Sequence, residues 1–180
     1  MTGRAVVRRV LDRYRESERT LGLRLAAYVA AHMGGLALLA WATGRPLLLP
    51  SLGPSAYILA SRKTQTGLIR ETVGGQAIGA IAAYASVLVL VGPLEQVRMF
   101  PALTTVGLLQ VVAVVVAVVT ATVGMSVFRV LHAPAYATVL IFALGIPQGA
   151  MAVPIFLAAV VGMVAVHEVL RRVVSVVPAE

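Results

Sequence analysis

Two short apolar stretches hold the residues of this 180-residue chain best suited to chemistry: Gly53-Pro54-Ser55-Ala56-Tyr57 and His132-Ala133-Pro134-Ala135-Tyr136. Proline is favoured in the first turn of a helix, where its missing N–H had no partner anyway. Pro54 and Pro134 therefore predict two helix starts. A helix start gathers free N–H groups and about half a positive charge, a seat for an anion that needs no lysine or arginine. Gly53, Pro54, Ser55 and Tyr57 form one candidate half of such a seat. His132, Pro134, Ala135, Tyr136 and Thr138 form the other, with His132 able to donate a hydrogen bond or pass a proton. The competing explanation is that both prolines only kink helices for packing.

Other polar side chains lie inside long apolar stretches, where they are costly and need partners. His32, Gln76, Gln110 and Thr120 are candidates to line a polar path. His32 shares a helical stripe with Arg24 and Tyr28, and a bond to a neighbouring carbonyl would account for it as well. Gln110, Ala113, Ala117, Thr120 and Gly124 fall on one predicted helix face that should point inward. His167 adjoins Glu168 and Arg171, which reads as an ion-pair cluster at a membrane edge. The three histidines have no metal-ligand spacing and the chain has no cysteine, so neither metal nor cofactor is expected. No nucleophile–base pair, carboxylate pair or phosphate loop is present, and an enzyme is not expected. Among buried charges a cation carrier would need Asp or Glu, which no predicted span holds at depth; a small anion fits better.

The elements that position these residues are membrane helices. Hydrophobic residues make up 59% of the chain and charged ones 12%, about half the usual share of a soluble domain. No charge occurs from Met99 to Phe128 or from Val130 to Val166, and about 20 apolar residues span a bilayer core. Six segments follow: Leu21 to Thr43, Leu47 to Ser61, Thr72 to Val91, Ala102 to Phe128, His132 to Ile146 and Gly149 to Leu170. The second and fifth are short and proline-broken. Residues 1–20 place Arg4, Arg8, Arg9, Arg13, Arg15 and Arg19 beside an apolar stripe of Val7, Val10, Leu11 and Tyr14. That pattern predicts a basic amphipathic helix on anionic headgroups, and a nucleic-acid partner is not expected. With six crossings and an inside N-terminus, all the Lys and Arg except Arg45 and Arg98 lie inside. The expectation is an all-α, multi-pass protein of a prokaryotic inner membrane with both termini cytoplasmic. Its transmembrane domain covers 21–172 in two inverted three-helix halves, 21–92 and 102–172, followed by a tail at 173–180. Gly75-xxx-Gly79, Ala27-xxx-Ala31-xxx-Gly35 and Ala158-xxx-Gly162 are the expected sites of close helix packing.

Three motifs resemble those of the HPP family of integral membrane proteins, in the family's order. Leu52-Gly53-Pro54-Ser55-Ala56 is similar to its LG(P/A)SA element. Arg70-Glu71-Thr72-Val73-Gly74-Gly75-Gln76 resembles its Pro-Arg-Asn-x-x-Gly-Gly-His stretch. His132-Ala133-Pro134-Ala135-Tyr136-Ala137-Thr138 resembles its His-Pro-Pro signature. The chain departs from the pattern at Ala133, Glu71 and Gln76, where proline, asparagine and histidine are usual. The resemblance covers about residues 25–170. It implies a small membrane protein, often drawn with four spans, in a group where some members are implicated in nitrite transport. Two functions remain in view: a carrier or channel for a small anion, nitrite foremost, or a non-transporting sensor, scaffold or subunit that binds another membrane protein. A homodimer suits either one.

Overall fold

A computed structural model of the chain describes residues 3–44, 50–61, 67–92, 102–147, 149 and 151–173, with side chains from residue 19 to 172. Arg45, Arg62, Lys63, Glu95, Arg98, the tail at 174–180 and the side chains of the basic N-terminal stripe lie outside the described residues. Six helices follow in order: α1 Gly3–Thr43, α2 Leu52–Ser61, α3 Leu68–Leu90, α4 Thr105–Val127, α5 Ala135–Ala143 and α6 Ala152–Val173. The basic stretch and the first apolar span form one helix of 41 residues, because no proline interrupts them.

Four stretches have the length and composition to cross a membrane: Arg19–Thr43, Leu68–Leu90, Thr105–Val127 and Ala152–Arg172. The other two helices are short. At 1.5 Å per residue, the 10 residues of α2 and the 9 of α5 reach about 15 and 14 Å, half of a bilayer core of about 30 Å. Their boundaries have local causes. Pro54 stands in the first turn of α2, and Pro134, at φ −60°, immediately precedes α5. At the far end of α5, Gly145 takes a left-handed φ of 69°. Its N–H donates to Phe142 O, and Ile146 N–H donates to Ile141 O, closing the helix in a Schellman turn. The end of α4 has the same motif, with Arg129 in the left-handed position at φ 53° and Val130 N–H donating to Met125 O at 2.9 Å.

Packing separates the helices into two groups. α5 packs against α3 and α4, α2 packs against α1 and α6, and α3 meets α6 in the middle. Exchanging α1 with α4, α2 with α5 and α3 with α6 maps each of these pairings, and that of α1 with α6, onto an observed pairing, with α3–α6 mapping onto itself. The contact of α2 with α3 alone has no counterpart. The third helix of each half thus lies against the short helix of the other half.

Apolar side chains such as Leu23, Trp41, Val89, Val119 and Phe128 cover the outside, while small residues line the interior. Along α4 the buried positions are Gly107, Gln110, Ala113, Ala117, Ala121 and Met125. Small side chains let membrane helices approach closely where hydrophobicity supplies no drive between them. Thr120 departs from expectation. The stripe continues from Ala117 to Ala121, so Thr120 turns outward onto a groove of about 630 Å³ between α3 and α4. Of the three expected packing motifs, Gly75-xxx-Gly79 is buried, whereas Ala27, Ala31, Gly35 and Ala158 face outward.

Candidate functional site

The face of α3 that carries Gly75 and Gly79 receives the chain between α4 and α5. A Cβ on Gly75 would lie 2.4 Å from His132 Cβ and 3.1 Å from Val130 O. One on Gly79 would lie 2.9 Å from Ala135 O. Only glycine lets the 130–135 segment settle this close. Gln76 stands between the two glycines in sequence and is fully buried, as are Ser55 and Thr138; His132 is 4% exposed.

These four side chains form one hydrogen-bonded cluster. Gln76 Nε2 donates to Ser55 Oγ at 2.8 Å, and Gln76 Oε1 accepts from the Thr138 hydroxyl. Ser55 Oγ lies 2.9 Å from His132 Nε2 and 3.0 Å from Ser51 O. Ser55 has one proton to give. If it donates to the Ser51 carbonyl, His132 must donate its Nε2–H to Ser55; if it donates to His132, the imidazole carries its proton elsewhere. The position of the serine proton and the histidine tautomer are therefore coupled. The cluster ties together α2, α3, α5 and the segment before α5, and no charged side chain belongs to it.

Two further hydroxyls lie beside this cluster in sequence. Ser51 Oγ and Thr72 Oγ1 are buried and have no hydrogen-bond partner. Each comes four residues before a cluster member, Ser51 before Ser55 and Thr72 before Gln76. Sequence reasoning passed over both, although the i, i+4 spacing to Ser55 and Gln76 was the signal that could have found them.

The remaining candidates divide. Ala135 packs on Gly79, and Pro134 sets the turn that carries His132. The expected free amides at the start of α5 are not free. Ala135 N–H donates to His132 O at 2.9 Å, Tyr136 N–H to Ala133 O at 3.1 Å and Ala137 N–H to Pro134 O at 3.1 Å. A tight turn before the helix uses the donors that were assigned to an anion. Gly53 is half-buried with nothing within 4 Å of a Cβ placed on it. Tyr57 is 52% exposed and points away from the cluster. Tyr136 leaves it too, pairing its hydroxyl with Thr122 Oγ1 at 3.0 Å on the exposed side of α4. Tyr136 follows the amphipathic habit of this residue in membranes, with its hydroxyl on a polar partner. Gln110 is buried and donates to Ala143 O at 3.4 Å at the far end of α5.

His32 is also outside the cluster. It is buried in α1, which packs on α2 and α6. Its Nδ1 lies 2.9 Å from Tyr28 O, the carbonyl bond that sequence offered as one explanation. His167 turns inward to the Tyr28 hydroxyl, while Glu168 alone supplies the ion pairs at this helix end, to Arg171 and Arg172.

No curated protein and no solved structure matches this chain significantly. A family model described as "HPP, transmembrane region" matches residues 17–177. That stretch contains every described member of the buried cluster and the three motifs around it. The chain belongs to the HPP family of integral membrane proteins.

Proposed function

We propose that this membrane protein carries a small polar solute, an anion before a cation, past the Ser55–Gln76–His132–Thr138 cluster. One observation carries the reading: a buried, charge-free set of hydrogen-bonding groups joins α2, α3 and α5 among otherwise apolar helices. Polar groups at such depth are costly unless they are used or fully paired, and Ser51 and Thr72 are buried without partners. Among the described residues, the buried polar side chains are Ser, Thr, Gln and His, with no carboxylate to neutralise a cation. With the amides of α5 occupied, the donors for an anion are side chains: the Gln76 amide, the hydroxyls and the His132 ring. Nitrite is the foremost anion because some members of this family are implicated in its transport.

Two inverted halves would give this site its gate. The pairing pattern, nearly unchanged when the halves are exchanged, supports such a repeat, and α2 and α5 are the short helices usual at the midpoint of repeat-built carriers. The full chain reconstituted in liposomes should move nitrite, and Ser55→Ala or His132→Ala should slow that flux several-fold. Wild-type vesicles as tight as empty ones to nitrite, nitrate, formate and chloride would overturn the reading. A stoichiometric membrane partner recovered with such tight vesicles would assign the chain to the non-transporting class.

A further inference from the structure

We propose that the groove between α3 and α4 holds one acyl chain of an anionic phospholipid, whose headgroup is received by Arg70 and Arg129 at one end. The groove encloses about 630 Å³ and is lined from Ile78 to Leu90 on α3 and from Val116 to Phe128 on α4. At 1.5 Å per residue each wall is about 18 Å long, close to the depth of one leaflet of a bilayer core of about 30 Å. Buried Ala82 and Ser86 form the floor, while Ile81, Val89 and Phe128 stand exposed at the rims. The groove therefore opens on the apolar outside of the bundle. Ser86 donates its hydroxyl to Ala82 O at 2.8 Å, which leaves Thr120 as the one hydroxyl in an otherwise apolar lining. A polar solute would lose its hydration here with little in return, whereas a methylene chain gains contact.

Charge complementarity names the headgroup. Arg70 Nη2 donates to Phe128 O at 2.6 Å, which fixes its guanidinium at the end of the groove where Phe128 stands. A guanidinium carries five N–H donors in a planar fork suited to phosphate, and this bond takes one of them. Arg129 follows Phe128 directly and is exposed. It occupies the left-handed position of the α4 turn at φ 53°, where glycine is usual, so a cation is kept there against a backbone cost. The neighbouring carboxylate, Glu71, turns back toward the start of α3, with Oε1 3.7 Å from a Cβ placed on Gly67. Among the described residues the other end of the groove, at Leu90 and Val116, carries no charge. A basic mouth on an apolar slot one leaflet deep matches the head and tail of an anionic lipid. A second copy of the chain fits less well. Its acidic side chains among the described residues are Glu71 and Glu168, and Glu168 is engaged by Arg171 and Arg172.

The test is native mass spectrometry of the full-length protein in an uncharged detergent, with dioleoyl phosphatidylglycerol and dioleoyl phosphatidylcholine offered at equal concentration. One phosphatidylglycerol should stay bound per chain, with several-fold preference over phosphatidylcholine. Arg70→Gln combined with Arg129→Gln should bring the two lipids to parity. Arg129→Gln alone, which leaves the bond from Arg70 to Phe128 in place, should give part of that loss. Ala85→Phe, which fills the groove from an exposed lining position, should release the bound lipid while thermal unfolding stays cooperative. Equal retention of both lipids by the wild type would overturn the proposal, as would selectivity unchanged in the double variant or retention unchanged by Ala85→Phe. Displacement of the lipid by glycerol phosphate, a headgroup without chains, would reduce the site to one for free anions and overturn it too. A dimer that Ala85→Phe splits would assign the groove to a second copy instead. No readout involves flux, so the outcome is independent of the transported solute.

Discussion

Two buried polar groups of similar size occupy this small bundle, and they are built on opposite terms. On α3, Gln76 uses its amide donor and its acceptor on Ser55 and Thr138, and His132 Nε2 lies on the serine. The backbone there is pressed so close that two glycines are obligatory. On α1 and α6, one tyrosine holds two histidines by Nδ1, and His32 Nε2 is left over. In the first group each side chain has at least one hydrogen-bond partner, and close backbone contact fixes its place. In the second, one buried ring nitrogen is left without a partner. Two histidines in one membrane protein can therefore differ in kind: His132 Nε2 meets a buried serine, whereas His32 Nε2 is buried without a hydrogen-bond partner.

The largest test of that contrast is steric. Gly75→Ala would drive a Cβ into His132 and the Val130 carbonyl, and overpacking of this sort costs about 1–3 kcal/mol. Gly53→Ala, with nothing within 4 Å, should leave thermal unfolding in detergent unchanged or slightly raised. Equal losses from both substitutions would remove the glycine platform from the account.

The second test uses the buried amide. Gln76→Leu should cost about 1–3 kcal/mol, because Ser55 and Thr138 each lose a partner at zero exposure. Denaturation midpoints would measure it, and a neutral result would show that the cluster is loosely made.

The third compares the histidines directly. His132→Leu should destabilise through the abandoned Ser55, whereas His32→Leu should be neutral or stabilising, since it deletes a buried acceptor that has no donor. The Tyr28 carbonyl keeps its own helical bond. A loss at His32 as large as that at His132 would erase the distinction drawn here.

The smallest effect is expected at the end of α4. Arg70 donates from Nη2 to Phe128 O at 2.6 Å, a cation at a helix C-terminus worth about 0.3–1 kcal/mol. Arg70→Ala should lower stability by no more than that, and high salt should shrink the difference.

Much of this arrangement was legible before any coordinates. The charge-free runs and the gaps between them mark the four long helices, and proline chemistry marks the starts of both short ones. Gly75-xxx-Gly79 announced a close contact, and Ser55, Gln76, His132 and Thr138 were each singled out. Their meeting was not readable, because helical periodicity says which face is special and not which helix it faces. The same gap explains Thr120 and Tyr136. Outward and inward positions of a membrane helix are equally apolar, so a hydroxyl near the expected stripe carries little directional information. The amides of α5 were misassigned for another reason. A proline marks a helix start but does not reveal whether the preceding carbonyls fold back to meet the first N–H groups, as those of His132, Ala133 and Pro134 do. Ser51 and Thr72 were overlooked because single hydroxyls are common on such helices and usually bond their own backbone.

The crossed pairing, in which α3 rests on the short helix of the later half, bears on how the chain is made. α3 emerges from the ribosome well before α5 exists, carrying Gln76 on a glycine-lined face with only Ser55 of α2 to pair it. Until Thr138 and His132 are synthesised, that amide must be shielded by lipid headgroups, the insertion machinery or α2. A fragment ending after α3 would therefore lack the partner of the Gln76 acceptor, and this contact has to be completed late in translation.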